Sequence, residues 1–71
     1  MHVSDYQVVI ERLSDEDGGG YLATVPALPG CMADGETRQE ALERVEGAML
    51  TWAFMAERMG RTIPAPAKLS A

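Results

Sequence analysis

The chain has 71 residues, with 11 acidic and 6 basic side chains, a net charge of −5, one cysteine and one histidine. This inventory excludes an internal disulfide and a zinc-type ligand set, and its acidic balance argues against direct binding to nucleic acid, whose phosphates demand Lys and Arg. A domain this short buries only about 60% of its unfolded surface, so self-association is the reinforcement left to it, and a homodimer or tetramer is expected.

Tyr6–Leu13 reads as a first strand. Tyr6, Val8 and Ile10 share an apolar face; Gln7, Val9, Glu11 and Leu13 share a mixed outer one. Ser14-Asp15-Glu16-Asp17-Gly18-Gly19-Gly20 is a hairpin connection, because acidic residues and glycines break the strand and allow positive φ. Its glycines are not a phosphate loop: no G-x-x-x-x-G-K-[ST] is present and three carboxylates stand beside them. Tyr21–Val25 predicts a second strand, antiparallel to the first. Pro26 and Pro29 each remove a backbone donor, so Pro26-Ala27-Leu28-Pro29 is a turn or extended crossing. Gly30 follows as the residue most able to take an unusual φ. Cys31-Met32-Ala33 reads as a short third strand ended by an Asp34-Gly35 turn.

Thr37 then stands as a helix N-cap, with Glu40 three residues on. In this capping box the Thr oxygen accepts from the Glu40 N–H, and the Glu side chain reaches back to the Thr37 N–H. The helix is predicted from Arg38 to Met59, with Gly60 as its stop. Leu42, Val45, Met49, Trp52, Ala56 and Met59 form its apolar stripe, widened by Ala41, Ala48 and Met55 and bordered by Ala53. Glu40, Glu43, Arg44, Glu46, Glu57 and Arg58 face solvent. Met49, Trp52, Met55 and Met59 are read as core. Arg61-Thr62-Ile63-Pro64-Ala65-Pro66 is an edge strand or an extended arm. The fold class is therefore α+β, in the order β-β-β-α-β, with a small antiparallel sheet covered on one face by one long helix. Residues 1–66 make the domain and residues 67–71 a disordered tail.

No constellation for catalysis emerges. Cys31 has no base beside it, and His2, the one histidine, sits at a terminus. Ser4 and Ser14 lack a histidine partner and an elbow motif. Asp34 and Glu36 flank the turn before the helix and serve the turn and the helix dipole. No enzyme activity, cofactor or metal is expected. No apolar run approaches the roughly 18 residues of a membrane span, and Met1–Asp5 has no signal-peptide pattern. A lone thiol then points to the cytoplasm. Self-association is expected through an exposed sheet edge or the Pro64–Pro66 arm. The acidic balance suits a basic protein partner, and charge steering places its contact at Asp15, Glu16 and Asp17 or on the helix carboxylates.

Tyr21…Val25-Pro26-Ala27-Leu28-Pro29-Gly30-Cys31-Met32-Ala33-Asp34-Gly35-Glu36-Thr37-Arg38-Gln39-Glu40-Ala41-Leu42, then Ala48, Trp52 and Ile63-Pro64-Ala65-Pro66, resembles the N-terminal domain of the HicB-like antitoxin family. The resemblance covers residues 5 to 66. Its motif residues here are Pro26, Pro29, Gly30, Cys31, Asp34, Gly35, Thr37 and Glu40. It implies a partial RNase H-like β-β-β-α-β unit. It also implies a partner, a HicA-like toxin: a small basic ribonuclease that cleaves mRNA and is covered by the antitoxin. Many family members continue into a C-terminal DNA-binding domain. This sequence shows no second helix and no basic cluster, so no such domain and no operator binding are expected of it. The alternative expectation is a stand-alone oligomeric interaction module with neither toxin partner nor DNA binding.

Overall fold

A computed structural model describes residues 2–66. The strands β1 (Val9–Arg12), β2 (Tyr21–Thr24) and β3 (Met32–Gly35) are followed by one helix, α1 (Arg38–Arg58). β2 is central and antiparallel to both neighbours. The register sets Ile10 opposite Ala23 and Ala23 opposite Ala33. These three pack into the core under α1. Strand alternation puts Val9, Leu22 and Thr24 on the other face, which no helix among the described residues covers. The α+β arrangement of a three-stranded antiparallel sheet and one long helix is as the sequence predicts.

The elements differ from expectation at four places. First, β1 is shorter than the alternation suggests. Tyr6 precedes it, just after a 3-10 turn at Val3–Asp5, yet its ring is buried. Its hydroxyl donates to the Pro64 carbonyl, which ties the segment before the sheet to the segment after the helix.

Second, Asp34-Gly35 is not a turn. Asp34 pairs with Leu22 and Gly35 with Tyr21 inside β3. Glycine is required at position 35 for space: a Cβ there would lie 2.5 Å from the Ala41 nitrogen and 2.9 Å from the Glu40 carbonyl carbon. Gly20 is tied to the same spot. Its φ is +78°, and a Cβ on it would come within 2.6 Å of the Gly35 oxygen. The sheet thus presses against the first turn of α1 with nothing between the backbones.

Third, the capping box reaches one residue further than expected. Thr37 Oγ1 accepts from the Glu40 N–H at 3.0 Å, as predicted. Glu40 Oε1 instead accepts from the Glu36 N–H at 3.1 Å. The same oxygen is 3.2 Å from Arg44 Nη2, whose Nη1 donates to the Asp34 carbonyl. The guanidinium, fixed on β3, draws the carboxylate past Thr37 to Glu36. At the other end the Arg61 N–H donates to the Ala56 carbonyl and the Gly60 N–H to that of Glu57, with Gly60 at φ +71°. This is the Schellman stop.

Fourth, residues 61–66 carry no strand. Pro64 and Pro66 offer no N–H to a ladder, and the segment is held by Tyr6 and by the packing of Ile63 on the core. The expected tail, residues 67–71, lies outside the described residues.

Leu28, Met49, Val25 and Val45 are the largest fully buried side chains. Two of them belong to the proline-rich connection between β2 and β3. The Leu28 N–H donates to Val25, the Cys31 N–H to Leu28, and the Val25 N–H to Cys31. Pro29 and Gly30 are the central pair of the second turn, with Gly30 at φ +80°, the type II pattern. The two turns fold Leu28 inward, and burying such a side chain stabilises by about 1.5–3 kcal/mol.

Candidate protein-interaction surface

The helix buries Ala41, Val45, Met49, Ala53 and Ala56, and it packs chiefly on β3. Leu42, Ala48 and Trp52 are partly covered. Met55 and Met59, expected in the core, are 49% and 60% exposed. Two causes act together. A straight helix drifts about 20° per heptad against a seven-residue repeat, so a stripe read as 42, 45, 49, 52, 56, 59 rotates off the core by its last turn. The strands, at four residues each, are also about 13 Å long, whereas the 21-residue helix is about 31 Å. The helix outruns the sheet.

Its overhanging end rests on the Val25–Cys31 turns. Trp52 Nε1 donates to the Pro29 carbonyl at 2.9 Å, which satisfies the indole and fixes the turn against the helix. Below this contact opens an apolar groove of about 510 Å³ between the turn and the helix. Met32, Met55 and Met59 line it, together with Cys31 and Arg61. Burial pushes the Cys31 thiol above its ordinary range, which favours the protonated form. The groove is lined mainly by apolar side chains.

The acidic tip is a separate surface. Asp15, Glu16 and Asp17 form one exposed 3-10 turn at the end of the β1–β2 hairpin. Ser14 Oγ donates to Asp17 Oδ2 at 2.9 Å and accepts from the Asp17 N–H. Gly18, Gly19 and Gly20, all at positive φ, complete the turn and return the chain to β2. The structure does not bring this tip together with the Pro26–Glu40 motif residues. Among those residues, Pro29 and Gly30 shape a turn, Cys31 and Gly35 are buried, and Thr37 and Glu40 start α1. No group of three His, Cys, Asp or Glu side chains able to hold a metal occurs among the described residues. No helix among them is long and apolar enough to cross a membrane.

Sequence reasoning placed Met55 and Met59 inside and did not single out Leu50, Phe54 or Gly47. All three are exposed, on the side of α1 away from the groove. The signal was present in the sequence: the ten residues from Gly47 to Ala56 contain no charge at all.

A small two-layer domain with exposed apolar side chains on its helix and an acidic hairpin tip is the form of a protein-binding module. The chain belongs to the HicB-like antitoxin family of bacterial toxin–antitoxin systems, whose family model matches residues 6–71. It is 39% identical over 59 residues to a UPF0150 protein of Thermoplasma acidophilum, covering 83% of this chain and 81% of that protein. It is 35% identical over 60 residues to a UPF0150 protein of Synechocystis, covering 84% and 78%. A third, from Helicobacter pylori, is 36% identical over 42 residues, covering 59% and 58%. Membership in an antitoxin family points to a toxin partner and to a non-enzymatic role.

Proposed function

We propose that this chain is an antitoxin that binds and neutralises a small basic HicA-like toxin that cleaves mRNA. The observation that carries the reading is the family match across residues 6–71. The net charge of −5 supports it, since an acidic surface steers a basic partner toward the complex. The exposed carboxylates of the Asp15–Asp17 tip are the contacts charge steering favours. The chain acts in this reading by covering the toxin in the cytoplasm, without touching nucleic acid itself.

The test is co-expression with the small basic open reading frame beside its gene. The two proteins are expected to co-purify, and growth arrested by the toxin is expected to resume. Failure of both overturns the reading. Reversing Asp15, Glu16 and Asp17 to lysine is expected to slow association and flatten its salt dependence, while leaving the domain folded. A second reading, a stand-alone oligomeric module without a toxin, is favoured by the exposed apolar side chains of α1. A tight toxin complex defeats it.

A further inference from the structure

The charge-free half of α1 has a surface that matches itself. Leu50 and Phe54 are each 57% exposed, and Gly47 lies beside them on the same side of the helix. Gly47 has no reason of its own to be glycine. It sits mid-helix, its φ is ordinary, and a Cβ on it would meet nothing within 4 Å. Glycine there disfavours the helix relative to alanine. What it does provide is a flat place where another backbone can come close.

Two opposite charges stand at equal distances on this side of the helix, outside Glu46 and Glu57, which directly flank the uncharged stretch. Glu43 and Arg58 lie 7.5 residues, about 11 Å, on either side of the midpoint between Leu50 and Thr51. Gly47 and Phe54 lie 3.5 residues, about 5 Å, on either side. Both charged residues are exposed. Arg58 is stacked over the Phe54 ring at 5.6 Å, so its guanidinium is already held at the edge of the patch. Among the described residues the ion pair within the chain is Glu40–Arg44, which leaves Arg58 without a carboxylate partner.

We propose that this face of α1 is a two-fold interface with a second copy of the same chain, the helices packed antiparallel about the level of Leu50 and Thr51. The two-fold sets Gly47 of each copy opposite Phe54 of the other. It sets each Glu43 against the other copy's Arg58, so both pairs form together. An isologous interface requires such self-complementarity. A parallel pairing sets Glu43 on Glu43 and Arg58 on Arg58, which repels twice. The interface lies away from both the sheet edges and the Pro64–Pro66 arm, and it needs no toxin.

Sedimentation of the full chain alone at micromolar concentration tests it. A dimer of twice 7.7 kDa is expected. Phe54→Glu is expected to give a monomer with an unchanged helical circular dichroism spectrum. Glu43→Arg and Arg58→Glu are each expected to weaken dimerisation roughly tenfold, since each creates two like-charge pairs. An equimolar mixture of the Glu43→Arg and Arg58→Glu chains is expected to form a heterodimer as tight as the natural dimer, because both pairs are then opposite in sign again. Gly47→Ala, which favours the helix, is expected to weaken the dimer. A wild-type monomer, a dimer that survives Phe54→Glu, or a mixture no tighter than its components overturns the proposal. None of these outcomes depends on whether a toxin binds.

Discussion

The two halves of α1 obey different rules. From Arg38 to Glu46 the helix is an ordinary amphipathic one: Ala41 and Val45 are buried on β3, while Arg38, Glu43 and Arg44 stand in solvent. Its first turn touches the sheet backbone directly at Gly35, and Arg44 ties it to Asp34. From Gly47 to Arg58 the helix still buries Met49, Ala53 and Ala56. It leans on a turn through Trp52 and Pro29, and it exposes Leu50, Phe54, Met55 and Met59. The first half touches the sheet backbone directly, and the second is held by the Trp52–Pro29 hydrogen bond and by the buried Met49, Ala53 and Ala56. A helix that is apolar around most of its circumference is normally covered. The lesson is that the sheet fixes the first half closely and leaves large apolar side chains of the second exposed.

Four measurements break or sharpen that contrast. The largest effect belongs to the first half. Gly35→Ala drives a methyl into the backbone at Ala41, and urea denaturation is expected to show a loss of about 3 kcal/mol. Thr37→Ala removes the oxygen that accepts from Glu40, at a cost of about 1 kcal/mol by the same assay. In the second half, Trp52→Phe keeps the ring but loses the bond to Pro29, and a loss of about 1 kcal/mol or slightly less is expected. The difference should appear in hydrogen exchange too: Trp52→Phe loosens residues 52–59 and leaves 38–46 protected, whereas Gly35→Ala loosens both.

The smallest effect is a pH dependence. Burial raises the Cys31 pKa in the folded chain above its value in the unfolded one. The folded state therefore holds more protons in the alkaline range. The thiol's contribution is complete below the unfolded pKa and is lost as pH climbs through the folded one. Stability of the natural chain should fall more steeply above pH 9 than that of Cys31→Ala. Equal slopes would rule this out.

Most of the fold was legible because period and punctuation agree. Alternation in Ile10 and Ala23, proline at 26 and 29, and Thr37 with Glu40 each have one physical reading. The misreadings fall where one residue type serves two ends. Glycine supplies positive φ, as at Gly30, and also close approach, as at Gly35; the dipeptide Asp34-Gly35 looks the same in either role. Tyr6 fits the alternation of β1 as a buried aromatic, although a side chain can reach the core from a loop. Met55 and Met59 fit the apolar stripe, but a stripe carries no information on where the sheet beneath it ends. The exposed apolar face of α1 was the least legible part. The acidic tip stands out by charge, whereas Gly47, Leu50 and Phe54 gain meaning only once their exposure is known.

The bond from Trp52 to Pro29 has an optical consequence. The chain has a single tryptophan, half-buried and clamped at the lip of the methionine-lined groove. Its fluorescence therefore reads one location. A partner that fills the groove dries the indole and moves its emission to shorter wavelength, while one that docks on the hairpin tip leaves the colour unchanged. The protein carries its own gauge for telling which of its faces is occupied.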